Sequence, residues 1–432
     1  MDSPSSFLAP NGRLAARIPG WEPRPQQIVM ADLVAAAIDQ KKHAIIEAGT
    51  GTGKSLAYLI PAVLAATADQ AHQEENQPEQ QQQTRHEHQK SEKTNEKRPR
   101  RIVIATHTIA LQEQLVKKDI PLVSAVMPHE FSAVLVKGRG NYISLRRMEL
   151  AKEREGSLFQ YDEEVAELDG LLEWSGNTRD GSLADLPTIP RSSVWDEVHS
   201  DSGNCMGRTC PRYSDCHYFA ARRRMNNAQV LVVNHALFFS DLALRRSGVS
   251  LLPEYDIVIL DEAHMVESVA SDHLGVGLSS IAAERLLSRL YNERTNRGLL
   301  VHYKLDDLRP DVIQARRIAE DFFSGIIHAV ADRGDGPWRI LEPNLVPNTL
   351  GEVLLSLGRK IRKASDRLSS DAERQDFQSL ADRLTSQAGS IRFWLEQDDP
   401  GSVWWVELAN SRRGAPRVKL ASSPIDVSGV LR

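Results

Sequence analysis

Short, unbroken apolar runs recur along the first 260 residues: Ile102-Val103-Ile104-Ala105, Ala133-Val134-Leu135-Val136, Val230-Leu231-Val232-Val233 and Ile257-Val258-Ile259-Leu260. Runs of this length without polar alternation suit strands buried on both faces, as in a parallel sheet. His43-Ala44-Ile45-Ile46-Glu47 reads as a further short buried strand. Helical periodicity fills the intervals, from Gln27 to Gln40, from Ser55 onward, and through Leu111-Gln112-Glu113-Gln114-Leu115. Strands alternating with helices predict an α/β fold with helices on both faces of a parallel sheet.

The pattern changes twice. From about Ala68 to Arg101 the sequence is Gln, Glu, His, Lys and Asn with almost no apolar residue, so a disordered insertion is expected there. From Leu278 to Glu396 the period is helical throughout, as in Ile313-Arg316-Ile318-Phe322-Ile326 and Leu350-Val353-Leu354-Leu357-Ile361. Val403-Trp404-Trp405-Val406-Glu407 and Val418-Lys419-Leu420 then read as strands returning to the first sheet, with the tryptophans as packing rather than a base-stacking platform.

The 432 residues suffice for two or three domains. A net charge of −5 gives no global basic signature, so any nucleic-acid contact must come from local patches. Lys137-Gly138-Arg139, Arg146-Arg147 and Arg222-Arg223-Arg224 are the candidates, each equally readable as a solvated face. No apolar run approaches a membrane span and no basic-then-apolar leader opens the chain, so a cytoplasmic protein is expected.

Glu47-Ala48-Gly49-Thr50-Gly51-Thr52-Gly53-Lys54-Ser55 has the parts of a phosphate-binding loop, with Ala48 where the usual pattern starts with glycine. Glycines let backbone N–H groups turn toward phosphates, Lys54 supplies positive charge, and Ser55 a hydroxyl for magnesium. Residues 49 to 55 are therefore the expected ATP-binding set. Asp261-Glu262-Ala263-His264 follows the fourth apolar run, at the strand end where open α/β sheets bind ligands. Asp261 is expected on magnesium, Glu262 as the group that activates water, and Lys54 completes the catalytic set.

The three cysteines fall within one segment, Cys205, Cys210 and Cys216. Clustered thiols in a reducing compartment suit a metal, and the spacing alone leaves zinc and an iron–sulfur cluster open.

The order of phosphate loop, Thr106-His107-Thr108, Lys137-Gly138-Arg139-Gly140-Asn141-Tyr142, cysteine cluster, Asn234-His235-Ala236-Leu237 and Asp261-Glu262-Ala263-His264 resembles the DinG branch of the XPD-like iron–sulfur DNA helicases of superfamily two. The likeness runs along essentially the whole chain. It implies a RecA-like motor domain over 1–137, with 68–101 as its insertion, and over 229–272. It also implies an iron–sulfur domain over 138–228, a helical arch over 273–400, and return strands over 401–432. Trp21-Glu22-Pro23-Arg24-Pro25-Gln26-Gln27 resembles the family's adenine-recognition segment, so Gln27 is expected to read the adenine edge and Trp21 to pack on the base.

The family's 4Fe-4S cluster has four cysteine ligands. Cys205, Cys210 and Cys216 match the last three, while Ser144 stands where the first is expected. Serine holds iron less well than thiolate, so a labile cluster is expected, completed by Ser144, water or His217. Thr106 and Thr108 are the implied contacts to DNA phosphates, with single-stranded or forked DNA as partner and 5′-to-3′ movement. Family members also carry a second motor domain with an arginine on the γ-phosphate. The final segment, Ser422 to Arg432, resembles the family just before that second domain begins, and no Ser-Ala-Thr motif or second sheet follows, so that domain is expected to be absent or supplied by a separate chain. A site without its arginine finger loses about three to five orders of magnitude in rate. The competing readings are a non-catalytic module binding ATP and single-stranded DNA, and a metal-dependent redox switch on DNA; RNA is not excluded as substrate.

Overall fold

The computed structural model describes residues 3–75, 100–245, 248–409 and 416–426. The chain forms two compact units, one of Met1–Lys137 with Arg222–Val269, the other of Gly138–Ala221 with Ala270–Arg432.

In the first unit, Pro25–Asp39 (α1) and Lys54–Glu75 (α2) accompany the strands Ile102–Thr106 (β1), Ala133–Leu135 (β2), Val230–Asn234 (β3) and Ile257–Leu260 (β4). The strands form one parallel sheet in the order β2-β3-β1-β4, with Ile102 level with both Val230 and Ile257. Strand β1 is buried at every position, which is why its five residues carry no charge. Leu59, Ile60 and Val63 of α2 pack with Phe7, Leu8 and Leu14 over Ile102, Ile104, Val230 and Val232. This is the α/β parallel-sheet architecture of a RecA-like domain. All four strands point the same way, so Thr106, Asn234 and Asp261 arrive at one edge.

Two expectations fail here. Residues 43–47 form no strand and Ile45 is fully exposed; among the described residues no strand is paired with them. An apolar run becomes a strand only when a neighbour takes its backbone groups. Helix α2 also continues to Glu75, into the stretch expected to be unstructured; residues 76–99 of that stretch lie outside the described residues.

In the second unit, Leu145–Glu153 (α3) packs Met148 and Ala151 against Leu168, Val194, Trp195 and Val198. The remainder comprises Gly277–Ser279 (β5), Ser280–Leu290 (α4), Arg309–Val330 (α5), Trp338–Arg339 (β6), Thr349–Ala364 (α6), Asp371–Glu396 (α7), Ser402–Ala409 (β7) and Arg417–Pro424 (β8). Leu350, Leu354, Leu357 and Ile361 line one stripe of α6, as the sequence period requires, and are buried with Phe377, Leu384 and Ile391 of α7. Asn348 caps α6, and a Ser370–Glu373 capping box starts α7.

The strands expected to rejoin the parallel sheet do not. β7 and β8 pair antiparallel with each other, and with β6 and β5, in a separate sheet ordered β5-β8-β7-β6. Alternate residues Trp404 and Val406 of β7 face the helical core, whereas the parallel sheet takes strands buried on both faces. Trp404 is buried, and Trp394 of α7 donates from Nε1 to the Ala421 carbonyl at 3.0 Å.

Candidate functional site

The glycine-rich loop enters α2 through two left-handed residues, Gly51 (φ +82°) and Gly53 (φ +81°). At Gly53 a Cβ would also stand 2.2 Å from Nε2 of Gln27, so only glycine fits. Helix α1 braces the loop from below. Gln27, 3% exposed, donates from Nε2 to the Gly53 carbonyl at 2.9 Å, and Arg24 donates to the carbonyl of Gly51. The Thr52 hydroxyl donates to the Gly49 carbonyl at 2.8 Å. The amide nitrogen of Gln27 thus serves the loop itself, and Trp21 packs with the apolar core while donating to the Leu8 carbonyl at 3.3 Å.

Lys54 opens α2, and its Nζ lies 3.6 Å from Oε1 of Glu262. Asp261 is fixed on three sides. Its backbone N–H donates to the Ala105 carbonyl at 2.8 Å, its Oδ1 accepts from the Glu262 N–H at 3.1 Å, and its Oδ2 accepts from the Tyr58 hydroxyl at 3.2 Å. Burial raises the Asp261 pKa and the Glu262 charge adds to this, while Tyr58 and Lys54 oppose it. Burial, then the Asp261 charge, pushes the Tyr58 phenol well above its ordinary value, so it remains a donor. Glu262 sits in the left-handed region (φ +55°), a conformation costing about 1–3 kcal/mol that characteristically marks functional sites. The turn places its carboxylate beside Lys54, with Nδ1 of the exposed His264 at 3.5 Å from Oε2.

The sequence reading passed over Arg24, Tyr58 and His235. Tyr58 lies three residues after Ser55 and four after Lys54, a helical spacing that puts it on their face of α2. His235 is 1% exposed, with Nε2 3.2 Å from the Ala105 carbonyl and its ring 6.1 Å from that of His107. Burial, helped by His107, lowers its pKa and keeps it neutral.

Thr106 is fully buried, 3.4 Å from the Thr108 carbonyl, and in this conformation cannot meet a DNA phosphate. Thr108 is exposed at the start of the helix Ile109–Gln114, where its hydroxyl oxygen accepts from the Leu111 N–H. Among the basic stretches, Arg146 and Arg147 are 4% and 2% exposed and are neither a solvated face nor a DNA patch. Arg139 stacks on Tyr218 at 3.9 Å and Arg222 donates to the Leu251 carbonyl, leaving Arg223 and Arg224 exposed.

Cys205, Cys210 and Cys216 line one cavity in the second unit together with Ser144 and Arg146. No disulfide joins them. Ser144 occupies the N-cap position of α3 without capping it, so its hydroxyl is not drawn into the helix end. His217 is not part of the cavity wall and packs on Gly181, where a Cβ would meet its ring at 2.2 Å. Burial raises the Cys216 pKa against backbone N–H groups of Phe219 and Tyr218. Arg146 lies in the field of Cys210 and Cys205 and donates to the carbonyl and side-chain oxygens of Asn204, next to Cys205. Among the described residues, no three His, Cys, Asp or Glu side chains converge tightly enough to hold one metal ion. Three thiols and a serine hydroxyl around one cavity are a donor set whose chemistry suits iron–sulfur ligation.

The DEAD/DEAH box helicase family model matches residues 25–147 and the DEAD_2 family model residues 204–282. The chain is 36% identical over 275 residues to the Escherichia coli protein named ATP-dependent DNA helicase YoaA, covering 63% of this chain and 38% of that protein. It is 33% identical over 304 residues to ATP-dependent helicase DinG of Mycobacterium tuberculosis, covering 66% and 41%. With ATP-dependent DNA helicase DinG of Photobacterium profundum it shares 26% identity over 434 residues, covering 94% and 58%. The chain thus spans roughly two fifths to three fifths of the length of these relatives. Among the described residues no helix is long and apolar enough to cross a membrane.

Proposed function

We propose, for a chain that belongs to the DinG family of XPD-like helicases, that its first unit is the ATP-binding motor element of a DNA helicase. The observation carrying this reading is the meeting of Lys54, Asp261 and Glu262 at the sheet edge beside the glycine loop. Loop N–H groups from Gly49 to Lys54 take the phosphates, and Lys54 leaves Glu262 to neutralise them. Ser55 and Asp261 would hold magnesium, and the Tyr58 hydroxyl fixes the Asp261 carboxylate through Oδ2. Glu262, released from Lys54, orients and deprotonates the attacking water. Arg223 and Thr108, both exposed among the described residues, are candidate contacts to a nucleic-acid backbone, which position a strand without reading its sequence.

The second unit contains the iron–sulfur and arch elements of this reading. Cys205, Cys210 and Cys216 would hold the cluster and Ser144 would supply the fourth position. When bound, the cluster supplies a covalent brace and a redox-sensitive centre, and the chain's own contribution is the buried Arg146 charge beside it.

Nucleotide binding and ATP hydrolysis, measured without air on the whole chain with and without single-stranded DNA, test this beside Lys54→Ala. Magnesium-dependent nucleotide binding that Lys54→Ala abolishes supports the motor reading, and DNA-stimulated turnover extends it to a complete engine. Absence of nucleotide binding in the parent chain overturns it.

A further inference from the structure

The second unit contains a small polar cavity that neither the nucleotide nor the cysteine reading uses. Arg147, Arg154, Arg289, Glu197 and Asp376 wall it, backed by apolar side chains. Within the wall three guanidinium groups face two carboxylates; from outside it Asp201 acts on Arg147, and Asp201 and Asp196 act on Arg289. Asp376 is shared between Arg154 and Arg289, the latter at 3.2 Å, and Glu197 accepts from Arg289 at 2.9 Å. Arg147 has no carboxylate partner: its two Nη groups donate to the backbone carbonyls of His199 and Asp196. Burial and the repulsion of Arg289 push its pKa down to about 10, so at neutral pH it is still charged.

The wall also presents donors that nothing in the protein accepts. Nε of Arg147 and Nε of Arg289 are buried without a hydrogen-bond partner, whereas the Arg154 guanidinium is also engaged by Tyr303, whose ring it faces at 5.1 Å and whose hydroxyl it reaches. A buried charged donor left unmatched is costly, and an uncompensated buried charge costs more. Water can accept such hydrogen bonds but cannot cancel the charge. The space admits about one water-sized particle, which excludes phosphate, sulfate and nucleotide.

We propose that this cavity is a buried halide site, occupied by chloride in ordinary solution. Its arginines come from α3, from the segment just after it and from α4, and Asp376 from α7. The anion therefore holds the cysteine-bearing segment to the helical segment by charge. This inference stands apart from the nucleotide reading.

Crystals of the whole chain grown with bromide, measured at the bromine absorption edge, test the site directly. An anomalous peak between Arg147, Arg154 and Arg289 is expected, and a map without one there overturns the proposal. In solution, potassium chloride is expected to raise the thermal midpoint of the chain by a few degrees over potassium gluconate at equal ionic strength. Arg147→Met is expected to remove that difference. A midpoint indifferent to chloride, or a chloride effect that persists in Arg147→Met, would mean a water-filled cavity and sink the idea. Should Arg147→Met fail to fold, the bromide map of the parent chain decides alone.

Discussion

Asp376→Asn tests the buried charge network of the second unit. The Asp376 side chain is 3% exposed and its partner Arg154 2% exposed, so solvent screens the pair little. Burial alone would raise the Asp376 carboxyl, yet Arg289, Arg154 and Arg147 hold it well below the usual carboxylate range. Asparagine has nearly the same volume, so no cavity opens, but it removes the charge facing two arginines. Arg289 keeps Glu197, whereas Arg154 retains no carboxylate within ion-pair reach. Breaking a buried pair by deleting one partner costs about 3–5 kcal/mol, and that loss is expected here. Urea unfolding followed by tryptophan fluorescence suits the measurement, because every one of the seven tryptophans except Trp21 lies in the second unit. Chloride is held constant. Adding Arg154→Met to Asp376→Asn is expected to cost less than Arg154→Met alone, a coupling of about 1.5 kcal/mol or more. The pH dependence has a fixed sign. A depressed folded pKa stabilises fully above the unfolded value of about 3.9, and that stability is lost as pH falls below it toward the folded pKa. The variant should therefore show a shallower acid limb. A loss under about 1 kcal/mol with an unchanged acid limb would refute the argument that this carboxylate compensates the arginines.

Tyr58→Phe removes the hydroxyl that fixes Asp261 Oδ2 and should weaken magnesium-dependent nucleotide binding severalfold while metal-free binding holds; isothermal titration with and without magnesium separates the two. Gly53→Ala combines a positive φ with a clash against Gln27, so nucleotide affinity should fall at least tenfold, read by fluorescent nucleotide titration. Ser144→Cys supplies a thiolate at the cavity wall and should slow the loss of visible absorption in air; bleaching no slower than in the parent would remove Ser144 from the ligand set.

Much of the parallel sheet could be read from sequence because a strand buried on both faces announces itself locally, as Ile102–Thr106 does. Pairing partners are not local. The same apolar signal at 43–47 yields no strand, since among the described residues no strand pairs with it, and β7 and β8 pair with each other although their apolar residues looked equally suited to the first sheet. The chemistry divides along the same line. Lys54, Asp261 and Glu262 were legible because loop and strand end are contiguous motifs whose geometry follows from the backbone. Tyr58, Arg24 and His235 act by reaching across elements, and their roles come into view only when helix spacing and burial are known together.

Charge misleads most where it is buried. Arg146 and Arg147 look in sequence like a patch for a polyanion, and the fold turns them inward instead. Arg146 faces the thiols of Cys205 and Cys210, and Arg147 faces a cavity shared with Arg154 and Arg289. Two adjacent residues on one helix thus point at two different sites, because a helix turns about 100° per residue and α3 lies between the cysteine loop and the buried ion network. Asn204 joins them: it accepts from Arg146 and donates to Asp376 at 2.6 Å, one residue before Cys205. Gln375 donates to the Gly203 carbonyl at 3.0 Å and Arg383 pairs with Asp201 at 2.9 Å, so the charge network of the helical segment is joined to the stretch just before Cys205 at several points, Asn204 being the one that touches both Arg146 and Asp376.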